Sequence, residues 1–256
     1  MMKSEASYSH KLFNNAGIKF NVDSDLELWR AETLLTKEPE TIAWLNYYTS
    51  KGGTFYDVGA NIGVYSLYAA IKNPQLSVYA FEPVKNNFIS LLNNKKLNKT
   101  NNLYPFNIAL SNKDEVSQIY IKDERVGNSG AQLNQPEDEF GTIFKPLDVE
   151  HVLSTSIDNL IRNFSFPQVN FIKIDVDGHE GKIIEGMTML LKKVSLKSVL
   201  VEMNSSDELK QFTDIFRGFG LIADERFNNF PNHSSLRRKK KKSAAVNMVF
   251  SKIEGN

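Results

Sequence analysis

The 256-residue chain contains no cysteine, which excludes disulfide bonds, thiol nucleophiles and cysteine-bound metals. Neither charge sign dominates, because 31 lysines and arginines face 30 aspartates and glutamates; the overall composition therefore indicates neither a nucleic acid nor an acidic partner. No run approaches the ~18 apolar residues that would span a bilayer, and residues 1–20 lack the apolar segment of a secretory signal. We therefore expect a cytoplasmic protein.

Strand and helix patterns alternate along most of the chain. Short strand-like runs at 54–58, 77–81, 169–174 and 198–203 are each followed by a helical stretch. Such repeated units predict a parallel sheet with helices on both faces. The expected fold class is therefore α/β, doubly wound and Rossmann-like, in three αβα layers. Residues 1–50 are predicted to be an N-terminal helical lead-in, with Pro39 opening its second helix, and residues 51–256 to be the main domain.

The first of these strands ends in a glycine-rich turn, Asp57-Val58-Gly59-Ala60-Asn61-Ile62-Gly63. Gly59 lets the backbone approach a ligand, and Gly63 removes a Cβ where the next helix begins. Glu82 ends the following strand, roughly twenty residues later, about where a carboxylate can accept both hydroxyls of a ribose. The carboxyl ends of parallel strands form the edge at which ligands bind in such sheets, so the pattern predicts a nucleotide-like ligand there.

Three interpretations of the turn are open. A dinucleotide site has the pattern G-x-G-x-x-G and holds a diphosphate, whereas this turn has Asn61 between its two glycines and Asp57 in front of them. Asp57 would repel a diphosphate, but it could face the cationic amino-acid end of S-adenosylmethionine. The third interpretation is a strand–helix turn without a ligand. The residues favour the methyl donor over the other two.

Four blocks in a fixed order extend this pattern: FYDVGANIGVYS at 55–66, AFEP at 80–83, NIALS at 107–111 and IKIDVDGHE at 172–180. In these blocks the chain resembles the FkbM family of class I S-adenosylmethionine-dependent methyltransferases. The resemblance covers roughly residues 30 to 205. It implies a mostly parallel seven-stranded sheet whose last strand is antiparallel, and methyl transfer to an oxygen, often on a sugar or a glycan-related product.

The same resemblance implies roles for particular residues. Asp57 and Gly59 would flank the amino-acid moiety of the donor, Asn61 and Gly63 would bind the donor from the same turn, and Glu82 would hold its ribose. Ala109 and Leu110, in the third block, would lie near the adenine. Asp175, in the fourth block, would line the boundary between donor and acceptor.

His179 is the preferred general base, because a sugar hydroxyl is poorly acidic and His179 follows Asp175 closely at the predicted active edge. Asp175 or Asp177 would then orient the imidazole. A substrate-binding or purely structural role for His179 stays open. The acids Asp175, Asp177, Glu180 and Glu202 could instead bind Mg²⁺; acids at strand ends are common in donor pockets without a metal, so no metal is predicted.

Two further features have open interpretations. Lys173 is a polar residue inside an apolar strand, where it either reaches the pocket floor or extends to the edge of the sheet. Residues 123–147 are predicted to form a long surface loop, and its amide-rich part, Val126–Gln132, either contacts a polyhydroxylated acceptor or is simply exposed.

The run Arg237–Lys242 is the clearest block of charge in the sequence. It is either a solvated loop or a contact for an anionic partner, such as a phosphorylated glycan, a membrane surface or RNA. Contact with a membrane surface would make the protein peripheral to the membrane. It lacks the interleaved aromatic residues of single-strand readers, so no specific nucleic acid is predicted.

The leading hypothesis is an O-methyltransferase acting on a hydroxyl of a sugar, a glycan or a related metabolite. The alternatives are methylation of a lipid, a small metabolite or a protein, and a non-catalytic module that only binds the donor. The expected partner is a small-molecule or glycan acceptor.

Overall fold

The computed structural model describes residues 11–138, 141–231, 233 and 246–252. The strands in this part of the chain are β1 (Lys11–Asn15), β2 (Ile18–Val22), β3 (Gly53–Val58), β4 (Leu76–Phe81), β5 (Leu103–Phe106), β6 (Ala109–Leu110), β7 (Glu115–Ile121), β8 (Gln132–Leu133), β9 (Asp148–Thr155), β10 (Phe171–Ile174), β11 (Ser198–Met203), β12 (Leu221–Ala223) and β13 (Val246–Lys252). The helices are α1 (Asp25–Glu32), α2 (Pro39–Thr49), α3 (Val64–Lys72), α4 (Lys85–Asn98), α5 (Ile157–Asn163), α6 (Glu180–Glu185), α7 (Thr188–Leu191), α8 (Ser206–Gly218) and α9 (Glu225–Asn228).

The main sheet has seven strands in the order β12-β13-β11-β10-β3-β4-β5. The five strands from β11 to β5 run parallel, and β13 is antiparallel to both of its neighbours. Successive residues of β3 face opposite sides, so Phe55 and Tyr56 lie in two different apolar clusters. The predicted α/β doubly wound fold, with its antiparallel last strand, is confirmed.

Helix α2 covers one face of this sheet through Trp44, which is fully buried. The indole packs edge-on against Phe55 and Phe171, with ring centroids 5.8 Å and 5.7 Å away, and its Nε1 donates to Ser198 Oγ at 2.9 Å. Loss of such a buried ring costs about 3–5 kcal/mol. The helix begins at Pro39, as predicted, and carries residues of the lead-in into the core of the sheet.

Residues 11–22 form a β-hairpin, so the helical description of residues 1–50 is wrong for this part. Ile18, Phe20 and Val22 are buried while the residues between them face outward, which is the period of a strand and not of a helix. The connecting pair, Ala16 and Gly17, has positive φ at both positions, the geometry of the tightest hairpin turns. The division into units at residues 50 and 51 stays a prediction.

A second sheet, in the order β6-β9-β7-β8, packs beside the first. Strand β7 lies inside this sheet, between β9 and β8, although the alternation at 115–122 is also typical of an edge strand. The two-residue strands β6 and β8 are too short to show a period in the sequence. The loop predicted at 123–147 therefore contains a strand pairing, and its first part turns back toward the main sheet.

The basic run Arg237–Lys242 lies outside the described residues, so its role stays a prediction. Within the part of the chain that the structure describes, no helix combines the length and the apolar character needed to cross a membrane.

Candidate functional site

The turn after β3 packs directly against the segment that follows β10. Gly59 has φ 79°, and a Cβ at this position would lie 1.9 Å from the backbone oxygen of Asp175. The amides of Gly59 and Ala60 both donate to the backbone oxygen of Phe81 at 3.0 Å. Only glycine fits here, because any side chain would separate the two segments, and the turn therefore presents bare backbone to the cavity beside it.

Glu82 is held at both carboxylate oxygens by backbone amides. Asn61 N donates to Oε2 at 2.7 Å and Val84 N to Oε1 at 2.9 Å, and the residue is 4% exposed. Burial raises the pKa of Glu82 to about 7, although these amides and the charge of Arg30 act in the opposite direction. Each carboxylate oxygen has a second lone pair, so this fixed carboxylate can accept two hydroxyls of a ribose.

Asp57 and Gly63 support the turn from below. Asp57 is 1% exposed and accepts from Ser66 Oγ at 2.5 Å; burial raises the pKa of Asp57, while Lys173 and Ser66 oppose that shift. A Cβ at Gly63 would lie 2.2 Å from Leu91 Cδ1, so this glycine allows α3 to begin against α4. Neither residue lines the cavities described below, and their predicted contact with the donor stays a prediction.

A cavity of about 300 Å³ opens at the carboxyl edge of the sheet. It brings together five of the predicted site residues: Gly59, Asn61, Glu82, Asp175 and Asp177. Its walls also include Glu202, which the sequence offers as a metal ligand, and residues 128–131 of the loop that it offers as an acceptor contact. The sequence gives no role to five further lining residues: Trp29, Arg30, Lys37, Asn87 and Asn204. The wall is therefore rich in carboxylates, amides and cations, with one exposed indole.

A narrower cleft of about 50 Å³ adjoins this cavity and shares Gly59 with it. Ala109, Leu110 and His179 line the cleft, as predicted residues. The other lining side chains are mostly apolar: Val58, Phe81, Pro83, Val84, Ile108, Ile119, Ala131, Leu133 and Val176. A narrow, mostly apolar cleft of this kind suits a purine ring.

The structure separates His179 from the predicted acids. Its Nε2 lies 3.0 Å from Ser111 Oγ at the end of the apolar cleft, whereas Asp175 and Asp177 line the wide cavity, which His179 does not. Burial lowers the pKa of His179 and the charge of Lys182 adds to that shift, so the imidazole is neutral at pH 7. The assignment of His179 as general base stays a prediction, and its position favours contact with the donor instead.

The loop after residue 125 forms a roof over the wide cavity. Asn61 Nδ2 donates to the backbone oxygen of Asn128 at 2.8 Å on one side. On the other side, Gly130 N donates to Asp177 Oδ2 at 2.9 Å. The amide-rich part of the predicted surface loop therefore belongs to the site. The sequence left this choice open because the anchors of the loop are about fifty to seventy residues distant along the chain.

Lys173 lies beneath the floor of the wide cavity. It is 1% exposed, its Nζ is 2.7 Å from Asp175 Oδ2, and it lies 5.2 Å from the centre of the Tyr65 ring. Burial alone would lower the pKa of Lys173, but the carboxylates of Asp175, Asp57 and Glu38 raise it above its ordinary value. Of the two interpretations left open by the sequence, the structure shows the contact with the pocket floor.

No group of three or more histidines, aspartates or glutamates within the described ranges is arranged to hold a metal ion. Glu180, one of the acids considered for Mg²⁺, accepts from Val176 N and Gly178 N at 3.0 Å each, and burial raises the pKa of its carboxyl to about 8. It therefore closes the turn after β10 and does not face the cavity. That the reaction needs no metal stays a prediction.

These residues fit S-adenosylmethionine in three ways. The turn at Gly59 presents backbone without a side chain to the cavity, the buried carboxylate of Glu82 is fixed for a ribose, and the cleft at Leu110 is lined mostly by apolar side chains. The cavity that Glu82 lines and the cleft that Leu110 lines meet at Gly59. The carboxylates of the wide cavity also favour its cationic end.

Comparison with known proteins agrees with this geometry. The chain matches the model of the methyltransferase FkbM domain over residues 57–236. It is 27% identical over 197 residues to the hexuronic acid methyltransferase AglP of Haloferax volcanii, an alignment that covers 77% of this chain and 74% of that protein. It is also 26% identical over 141 residues to methyltransferase 1 of Beauveria bassiana, covering 51% of this chain and 57% of that protein.

Among solved structures, a crystal form of the METTL16 methyltransferase domain is similar with a TM-score of 0.50 and 13% identity, over 95% of this chain and 87% of that one. This likeness concerns the fold. The match of the family model, which spans more than half of the chain, identifies the chain itself as a member of the FkbM family of S-adenosylmethionine-dependent methyltransferases.

Proposed function

We propose that this enzyme transfers the methyl group of S-adenosylmethionine to a hydroxyl of a sugar or glycan. The observation that carries the proposal is the wall of the wide cavity beyond Gly59 and Glu82. There Asp175, Asp177 and Glu202 provide carboxylates. Carboxylate and amide groups converging on one cavity suit an acceptor with several hydroxyls, each of which both donates and accepts hydrogen bonds.

Asn204 supports this interpretation. It lies just after β11, is 6% exposed and lines the wide cavity. Its Nδ2 has no hydrogen-bond partner among the described residues. A buried amide donor without a partner costs free energy, and a hydroxyl oxygen of a bound acceptor would remove that cost.

The relative from Haloferax volcanii is also consistent with a sugar acceptor, since its name describes a methyltransferase of hexuronic acid. At 27% identity this relationship supports the class of acceptor and not the particular sugar. The cavity and the relative point to the same class independently of each other.

We infer that Asp175 receives the proton of the acceptor hydroxyl. The bound donor supplies an activated methyl group on its sulfonium sulfur, so the chain has to bind the acceptor, align it and accept one proton. Asp175 lies next to Gly59, and the contact of its Oδ2 with Lys173 fixes the carboxylate at the cavity floor. As the new oxygen–carbon bond forms and the sulfur–carbon bond breaks, the hydroxyl proton passes to this carboxylate.

The test is an acceptor screen with methyl-labelled donor, using monosaccharide glycosides, oligosaccharides, lipids and peptides in parallel. We expect label in a saccharide, in a product that survives mild alkali, because a methyl ether is stable where a methyl ester is hydrolysed. The Glu82→Ala variant, which removes the proposed ribose ligand, serves as the donor-binding control. Label that enters only lipids or peptides, or donor binding without turnover on any acceptor, would overturn the proposal.

A further inference from the structure

Three residues that lie on the amino-terminal side of the segment matched by the family model line the wide cavity. Trp29 is 44% exposed, and two cations flank its ring: Lys37 Nζ lies 5.8 Å and Arg30 Cζ 5.9 Å from the ring centre. We call Trp29, Arg30 and Lys37 the cationic rim. All three line the cavity, precede residue 57, where the match to the family model begins, and lie outside the four sequence blocks that carry the resemblance.

An exposed indole at the mouth of a polar cavity suits one kind of ligand surface. The apolar face of a sugar ring packs flat against an aromatic ring, while its hydroxyls point outward to hydrogen-bonding groups. The cavity supplies such groups at and just beyond the ends of β10 and β11. Trp29 therefore provides a platform for the saccharide acceptor proposed above.

Lys37 is positioned by a buried carboxylate. Its Nζ lies 2.7 Å from Glu38 Oε1, and the side chain of Glu38 is 1% exposed. The other oxygen of Glu38 accepts from the Tyr65 hydroxyl at 2.9 Å and from Thr41 Oγ1 at 3.3 Å. An ammonium group has three donors, so the contact with Glu38 fixes the Lys37 side chain and leaves further donors for a ligand.

Arg30 is fixed in a similar way. Its Nε donates to the backbone oxygen of Gly127 in the roof loop at 2.5 Å. This contact uses one of the five donors of a guanidinium. Both cations of the rim are therefore held in place by contacts that do not use all of their donors.

The acids and the cations of the wide cavity come from different parts of the chain. The acids Asp175, Asp177 and Glu202 lie at or just beyond the ends of β10 and β11, beside the place proposed for the cationic donor. The cations of the rim belong to α1 and the turn before α2. A neutral sugar stacked on Trp29 would form no ion pair with the two cations beside the ring, whereas an anionic substituent would pair with them.

We propose, on the basis of the sugar methyltransferase function argued above, that the acceptor is an acidic saccharide whose ring stacks on Trp29 and whose anionic group binds Lys37 and Arg30. A carboxylate or a phosphate would serve this chemistry. The methylated hydroxyl then lies on the side of the ring that faces Asp175.

The first experiment compares acceptors that differ only in charge: a hexuronic acid glycoside, the same hexoside with a neutral hydroxymethyl group, and its 6-phosphate. We expect kcat/KM for at least one acidic acceptor to exceed that of the neutral one by about tenfold or more. Preference for the carboxylate or for the phosphate identifies the anion. Equal kcat/KM for all three acceptors overturns the proposal while leaving sugar methylation intact, and failure of every saccharide rejects the proposed function with it.

The second experiment removes the cations and the platform one at a time. Lys37→Gln and Arg30→Gln should each raise KM for the acidic acceptor by about tenfold, leave KM for the neutral acceptor within about twofold and make the reaction less sensitive to salt. Trp29→Ala should raise KM for both acceptors, and Trp29→Phe should restore most of that loss. Lys192→Gln, at an exposed lysine after α7, is the matched charge control.

Binding of S-adenosylhomocysteine, measured by calorimetry on every variant, separates acceptor effects from misfolding or loss of the donor site. We expect its Kd in Lys37→Gln to stay within about twofold of the wild-type value. If Lys37→Gln raises KM equally for the acidic and the neutral acceptor, or if it weakens only the donor, the rim does not read the charge of the acceptor and the proposal is wrong.

Discussion

Lys173 Nζ lies 2.7 Å from Asp175 Oδ2. Lys173 belongs to strand β10, whose other residues are apolar. Asp57 is buried nearby and also interacts with this ammonium. Removing the cation leaves buried carboxylates without compensation, which costs several kcal/mol. We therefore expect Lys173→Met to lower the free energy of unfolding by about 3 kcal/mol, measured by urea denaturation at pH 7.

Two further variants make this expectation specific. Lys182→Met removes a cation whose partner Glu185 is exposed, with side chains 54% and 53% accessible, and should change the free energy of unfolding by under about 0.5 kcal/mol. Adding Asp57→Asn to Lys173→Met should recover part of the loss, because the second change removes one uncompensated charge. Equal losses in Lys173→Met and Lys182→Met would show that the buried pair is unimportant.

The raised pKa of Glu82 predicts how donor binding depends on pH. Burial raises the pKa of its carboxyl from 4.5 to about 7, and only the ionised form can accept both ribose hydroxyls. Affinity for S-adenosylhomocysteine should therefore rise with pH, with Kd about tenfold larger at pH 6 than at pH 8. Calorimetry across this interval measures the change.

The glutamine variant of Glu82 is the control for this profile, because it cannot ionise. Its affinity should be lower at pH 8 and should vary little with pH. The stability of the donor-free protein depends on pH in the opposite direction. Because the pKa of Glu82 is raised, the folded state holds this proton more tightly than the unfolded state does. The resulting contribution to the free energy of unfolding is complete below pH 4.5 and is lost as the pH rises through about 7. A glutamine variant that keeps the wild-type binding profile would contradict the assignment.

The parts of the site that the sequence predicts are those built within one strand–turn–helix unit. Gly59 and Glu82 each follow a strand with a clear pattern, and the carboxyl ends of neighbouring parallel strands must meet at one edge. Trp29 and Lys37 carry no such signal, since only the packing of the lead-in against the sheet brings them to the cavity. His179 follows its strand closely in sequence, but Asp177 and Gly178 have positive φ, and the chain turns there toward the cleft.

The hairpin at the amino-terminal end is a different case, because its signal is present in the sequence. Ile18, Phe20 and Val22 alternate with Lys19 and Asn21, which is the period of a strand with one buried face. The two-residue strands of the second sheet offer no comparable pattern. The length of the alternating segment, more than the burial of its residues, therefore decides whether a strand can be predicted from the sequence.

Gly59 allows a test of the close approach between the turn and the segment after β10. Gly220 is its matched control: its φ of 76° is close to the 79° of Gly59, but a Cβ placed on it would have no atom within 4 Å, whereas a Cβ on Gly59 would meet Asp175 O at 1.9 Å. Gly220→Ala should cost about 1 kcal/mol through backbone strain alone. Gly59→Ala should cost more and abolish measurable binding of S-adenosylhomocysteine. Similar stability and normal donor binding in the two variants would show that the turn relaxes away from Asp175 freely.

Asp175 and His179 can be assigned by separating donor affinity from turnover. Asp175 faces the wide cavity and is the proposed proton acceptor, so Asp175→Asn should lower kcat by about 10²-fold or more at saturating donor, with Kd for S-adenosylhomocysteine changed by less than about threefold. His179 lines the apolar cleft with Leu110; His179→Ala should therefore raise that Kd and leave kcat at saturating donor nearly intact. Single-turnover rates and calorimetry on both variants provide the two numbers. The reverse pattern, a large fall in kcat with normal donor affinity in His179→Ala alone, would make the imidazole the general base and reduce Asp175 to a residue that orients the acceptor.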